Sequence, residues 1–194
     1  ILKPFAEGIN LLSNNHSNKN FIILKLEMNR INISLFKNKS FIFTEDFDFG
    51  FNLIIKDISK LCSLKTEEVE FFLKDVQLRN IIQNNEDLYL EKKYFYTSPY
   101  RKIKYKLVLD IMMARLDELF EICCKKNTNI QNLRNNEKIY FYIEGSDYYK
   151  NIHYILDRSK FTAPEYIFDN STEHSSLSAV IGACELVSKG WEKE

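Results

Sequence analysis

Residues Lys92 to Lys106 read KKYFYTSPYRKIKYK and set six cations (Lys92, Lys93, Arg101, Lys102, Lys104, Lys106) among Tyr94, Phe95, Tyr96, Tyr100 and Tyr105, with no acid between them. Two kinds of chemistry suit that pattern. Aromatic faces anchor apolar side chains while cations pair with carboxylates, which describes the capture of an acidic, apolar peptide. The same rings stack bases and the same cations follow a phosphate backbone, which describes single-stranded nucleic acid. Metal and redox chemistry find less support. Cys62, Cys123, Cys124 and Cys184 lack ligand or CxxC spacing, and His16, His153 and His174 are scattered. The cysteines are expected to be buried free thiols of a reducing compartment.

The elements around that segment follow from periodicity. Ile1 to Asn15 fits a helix with Phe5, Ile9 and Leu12 on one side, followed by a polar turn over 14–20. Asn20 to Met28 and Ile31 to Phe36 are strands joined by a tight connection. A turn at Asn38-Lys39 leads to a third strand, Phe41 to Phe47, with alternating phenylalanines. The period then changes. Ile54, Ile58, Leu61 and Cys62 mark one helix; Thr66 is the expected N-cap of a second, with Glu67 and Glu68 in its first turn and Val69, Phe72, Leu73 and Val76 on its apolar face.

Asn80 to Asp87 is a polar loop and Leu88 to Thr97 a strand or hairpin arm. The longest helix is expected over Arg101 to Lys126, with the stripe Val108, Met112, Leu116, Leu119 and Cys123. Asn127 to Asn136 is a polar loop. Lys138 to Ile143 has the continuous apolarity of a buried parallel strand. A turn at Glu144-Gly145-Ser146, a helix from Asp147 to about Leu156, a strand over Pro164 to Phe168 and a closing helix over Ser175 to Lys189 complete the order. That last helix is apolar on most sides through Leu177, Val180, Ile181, Cys184 and Val187.

Composition narrows the class. With 194 residues, 45% hydrophobic and 14% aromatic, the chain can bury a core and is not disordered. The formal net charge is +0, so bulk electrostatics call for neither nucleic acid nor an anionic membrane. No run approaches the roughly 20 apolar residues of a membrane span.

Gly50, Asn52, Asp57-Ile58, Glu67, Glu70 and Lys74 stand in the order and spacing of a stretch of FtsA, the bacterial actin-like cell-division protein, which this chain resembles. Phe51 and Ile55 depart from that pattern, the family having its glycine one place later and a threonine before the aspartate. The resemblance extends to Val108–Glu118, with Arg115 and Glu118 three apart, to Ser178–Ala183 and to the opening helix. It implies an α/β, actin-like ATPase (RNase H-like) major domain with an inserted smaller α+β subdomain. Residues 1–50 with 128–190 would be subdomain IIA, 51–127 subdomain IIB and 191–194 a tail.

The resemblance also carries expectations about chemistry. The family's phosphate loop, Asp-x-Gly-x-Gly-Thr, falls on Lys25-Leu26-Glu27-Met28-Asn29-Arg30, which has no glycine and has a lysine in the aspartate's place. Glycines let backbone N–H groups reach phosphate oxygens, and the carboxylate positions metal-bound water. Their loss predicts no hydrolysis, with Lys25 and Arg30 either ordinary strand-end and turn residues or point charges for phosphate. The family's Thr-Gly-Gly after the fourth strand falls on Ile143-Glu144-Gly145, followed by Ser146, so one glycine is kept. Glu70 and Lys74 resemble the family's ribose- and base-contacting pair; as residues alone these read as a turn and a solvated i,i+4 pair. ATP and Mg²⁺ are left open rather than required.

The implied partner is the C-terminal tail of FtsZ, an acidic and apolar peptide, received by Arg115, Glu118, Lys92, Tyr94, Tyr96, Arg101 and Lys102. The plain structural alternative for 92–106 is a half-buried hairpin with a charged edge. The chain is expected to act as a cytoplasmic scaffold at the division site that can self-associate, reaching membrane only through segments outside 1–194 and binding no nucleic acid. An active actin-like ATPase and a single-stranded nucleic-acid module are the alternatives.

Overall fold

A computed structural model describes residues 2–14, 20–77, 88–131, 138–143, 166–168 and 175–189. These fall into two compact units, treated separately below.

The first unit is built on a five-stranded sheet in the order β3-β2-β1-β4-β5. Its strands are β1 (Phe21–Leu26), β2 (Ile31–Lys37), β3 (Ser40–Phe47), β4 (Lys138–Ile143) and β5 (Tyr166–Phe168). The expected meander is present, β1 pairing antiparallel with β2 and β2 with β3, while β4 runs parallel to both β1 and β5. The β2–β3 hairpin turns through Asn38 (φ 50°) and Lys39 (φ 64°), the left-handed pair that a two-residue hairpin loop requires.

A bulge then breaks the alternation. Leu35 pairs with Phe43 and Phe36 with Phe41, so Ile42 has no partner on β2 and is 52% exposed. Leu35 and Phe36 point to opposite faces, so Phe41 and Phe43 do too, although two residues apart. Phe41 packs with Phe5 and Leu12 against a core of Leu11, Phe21, Ile23 and Phe36 beneath helix α1 (Lys3–Asn14). Rings of Phe21 and Phe36 stack at 4.6 Å.

Helix α6 (Ser175–Lys189) lies against α1 at a contact that only small residues permit. A Cβ added at Gly182 would stand 1.8 Å from the Ala6 carbonyl oxygen, and one at Gly8 would stand 1.9 Å from the Phe36 ring. The closing helix is helical as expected, but Leu177, Val180, Ile181 and Val187 are exposed on it. Cys184 is exposed as well, against the expectation of a buried thiol, whereas Cys62, Cys123 and Cys124 are buried. Its spacing marked a helix; nothing in the spacing says how many faces are covered.

The second unit holds α2 (Asn52–Cys62), α3 (Thr66–Asp75), a 3-10 turn at Lys92–Tyr94 and α4 (Tyr105–Phe120). These elements come between β3 and β4 in sequence. Short α5 (Thr128–Gln131), in the first unit, replaces part of the loop expected over 127–136. Ile54, Ile55, Ile58 and Cys62 are the buried side of α2; Leu61, expected on it, is 65% exposed. Thr66 is the first helical residue of α3 rather than its cap, and Lys65 stands in extended conformation before it.

Leu88–Thr97 is not a strand. A single bridge joins Tyr89 to Lys104, with Leu90 N–H to Ile103 O at 2.8 Å and Tyr105 N–H to Leu88 O at 3.1 Å. That pairing holds Lys104 extended and delays α4 to Tyr105, four residues past the expected start. Val108, Met112, Leu116, Leu119 and Cys123 form the buried stripe, as the period required. Beyond Phe120 the backbone widens into a π turn over Glu121–Lys125, closed by Lys126 N–H to Glu121 O at 2.9 Å. The expectations for 14–20 (but for Asn14 and Asn20), 80–87, Gly145, Ser146 and the helix at 147–156 lie outside the described residues. Among the described residues no helix is long and apolar enough to cross a membrane.

Candidate functional site

The basic–aromatic segment is held in place by one buried acid that composition did not single out. Glu68, in the first turn of α3, is fully buried. Its Oε1 accepts the Thr97 N–H at 2.7 Å, the Thr97 hydroxyl at 2.9 Å and the Ser98 N–H at 2.8 Å. Its Oε2 accepts the Ser98 hydroxyl at 2.6 Å and the Lys65 N–H at 3.0 Å. Burial alone would raise this carboxyl; the Ser98 hydroxyl and the N–H groups of Thr97, Lys65 and Ser98 outweigh it and hold the acid at about 2. A carboxylate with five donors costs little to bury, and it fastens residues 97–98 to the start of α3.

That fastening sets how the segment presents its side chains. Tyr94 is 1% exposed, so its ring supports the surface from beneath. Its hydroxyl donates to Asp75 Oδ2 at 2.7 Å, and Lys93 Nζ reaches the same oxygen at 2.9 Å. Burial, then the Asp75 bond, pushes the Tyr94 phenol up, and the hydrogen bond to Asp75 raises the Lys93 ammonium. Tyr96 is 57% exposed and meets the 45%-exposed Phe71 of α3 edge-on at 6.2 Å; Phe71 lies 5.8 Å from Tyr94. Lys92, Arg101 and Lys102 are exposed, with Lys92 Nζ 5.5 Å from the centre of the Tyr100 ring.

Arg115 and Glu118 sit apart from this in role. Arg115 Nε pairs with Asp57 of α2, and its Nη1 donates to Glu118 at 2.7 Å. Arg115 and Asp57 are each about one quarter exposed, and the Asp57 bond raises the guanidinium further. The pair ties α2 to α4. Glu70 is half-buried and Lys74 exposed on α3. Sequence reasoning gave Phe71 no role, since it falls outside the apolar face of Val69, Phe72, Leu73 and Val76 and no spacing rule places it beside Tyr96.

In the first unit the β1–β2 turn does not fit a phosphate and metal cradle. Lys25 is buried and gives its ammonium to Glu7 of α1. The turn is closed by Glu27 N–H to Arg30 O at 2.9 Å, and the Arg30 guanidinium lies on the Glu27 carboxylate at 2.5 Å. Both cations proposed as phosphate point charges thus have carboxylate partners within their own unit. Among the described residues no group of three His, Cys, Asp or Glu side chains is placed to hold a metal ion.

No protein-family model and no curated protein matches the sequence. Solved structures do. MreB5 of Spiroplasma citri bound to ADP matches 100% of this chain and 62% of its own, at 13% identity and a TM-score of 0.62. The ethanolamine utilization protein EutJ from Carboxydothermus hydrogenoformans matches at 0.55 over 92% of this chain and 52% of its own, with 10% identity. The PilM-PilN type IV pilus biogenesis complex matches at 0.52 over 99% and 52%, with 14% identity. The chain thus spans roughly half to three fifths of the length of these structures. Such identities speak for architecture alone, and the architecture is that of the actin-like ATPase fold.

Proposed function

We propose that this chain is the IIA–IIB part of an FtsA-like scaffold, with residues 51–127 as the inserted IIB lobe that binds the C-terminal tail of FtsZ. It works at the cytoplasmic side of the division site and helps recruit or tether the division ring. Self-association in the manner of actin-like proteins belongs to the same reading. The observation that carries it is the 92–106 segment: six cations without an acid, exposed rings, and a backbone fastened by Glu68. Such a surface suits a peptide that is acidic and apolar together. The FtsA-like motif residues Asp57, Glu67, Glu70 and Lys74 lie in the same lobe. The nucleotide role is given up in this reading, because the turn has no glycine and Lys25, in the place of the metal-binding aspartate, is buried against Glu7.

Titration of a labelled FtsZ C-terminal tail peptide into the full chain tests this. Saturable binding that weakens only modestly between low and physiological salt is expected. Absence of binding at either salt concentration overturns it, and so does tight binding of poly-dT with a steep salt slope in its place.

A further inference from the structure

Phe71 and Tyr96 come from α3 and from the loop after the 3-10 turn, and both leave about half of a large ring in solvent. Exposed aromatic residues are common singly, but here two meet at right angles (83°), and one of them, Phe71, packs on a third, the buried Tyr94. Tyr94 in turn packs edge-on against Phe72 at 5.2 Å in the core. The corner therefore rests on fixed walls rather than on mobile side chains. Its loop is fixed too, since residues 97 and 98 are bound to Glu68. An anchor for a partner's side chain needs that rigidity, because ordering a loop on binding would consume affinity.

The charges around the corner select among partners. Lys93, 4.9 Å from the centre of the Tyr94 ring, is held by Asp75 and Glu91, whereas Lys92, Arg101 and Lys102 are exposed along the segment that carries no acid of its own. We propose that the Phe71–Tyr96 corner is the apolar anchor site of the second unit, taking one large aliphatic or aromatic side chain of a peptide whose neighbouring carboxylates pair with Lys92, Arg101 and Lys102. This deepens the tail-binding reading and rests on it for the partner's identity. It moves the anchor away from Arg115, whose guanidinium already serves Asp57 and Glu118. A peptide is favoured over nucleic acid because the two rings meet edge to face and present no parallel faces between which bases could stack.

The test uses the full chain and two probes: the FtsZ tail peptide, and a designed peptide with one leucine and one phenylalanine among glutamates. Phe71→Ala and Tyr96→Ala should each weaken both probes about tenfold or more. Tyr96→Phe should keep near-native affinity, and Leu61→Ala, at an exposed residue of α2, should change nothing. Circular dichroism confirms that each variant is folded. If both probes bind and neither alanine variant matters, the corner is not the anchor. If the designed peptide binds through Phe71 while the tail does not, the anchor stands and the FtsZ assignment falls. If neither peptide binds, or only poly-dT does, the corner proposal is overturned.

Discussion

Lys25 and Glu7 form an ion pair between β1 and α1 in which the two side chains are only 6% and 4% exposed. A buried pair of this kind contributes little beyond a well-packed apolar substitute, yet breaking it strands a charge. Lys25→Met should therefore destabilise the protein by about 3–5 kcal/mol, and Lys25→Met with Glu7→Leu should recover most of that loss. Urea denaturation of both variants measures the difference. Equal stability of the single and double variants would show that the pair is not coupled.

Glu68 makes stability depend on acidity with a definite sign. Its carboxyl is held at about 2 in the folded chain against an ordinary 4.5. Between those values the unfolded chain binds more protons, so stability rises with pH there. The contribution is complete above about pH 4.5 and is lost as pH falls towards about 2. Glu68→Gln removes the charge and turns one of the two acceptor oxygens into a donor facing other donors, at a cost of about 2–4 kcal/mol. Its acid unfolding profile should be flatter than the wild type's across that window.

At Gly182 two effects oppose each other. Alanine favours a helix over glycine by about 1 kcal/mol. The added Cβ would stand 1.8 Å from the backbone oxygen of Ala6, which can yield only if α1 moves. Overpacking of that kind costs roughly 1–3 kcal/mol, so Gly182→Ala should lower the melting temperature and Gly182→Val should lower it further. Calorimetry decides the sign.

The thiols should separate by accessibility. Cys184 is exposed, while burial raises the Cys62 thiol and pushes that of Cys124 up to about 12. A thiolate-directed reagent at neutral pH should modify Cys184 in the folded protein and reach Cys62, Cys123 and Cys124 only on unfolding. Mass spectrometry after brief labelling gives the pattern.

What the sequence made legible was local. Alternation and the Asn38-Lys39 turn gave the hairpin, and the stripe from Val108 to Cys123 gave α4, because one period decides each. The rest depended on partners distant in sequence. Glu68 reads as helix-start charge until Thr97 and Ser98, 29 and 30 residues on, supply donors to it. Lys25 reads as a strand-end cation until Glu7, 18 residues earlier, is placed beside it. The aromatic run at 88–97 looked like a strand by residue type, but its one bridge to Lys104 leaves no second strand to pair with. Arg115 was legible as a position and not as a commitment, since Asp57 lies 58 residues away. Arg115→Glu would set three carboxylates together at the α2–α4 contact, so a loss of binding in that variant would report on folding as much as on docking.

The central claim is that the second unit captures the FtsZ tail without help from a nucleotide. Calorimetric titration of the tail peptide into the full chain, with and without ATP and Mg²⁺, tests this directly. The account predicts one saturable site whose affinity is the same in both conditions. Binding that appears only with ATP and Mg²⁺ present, or no binding in either condition, would contradict it.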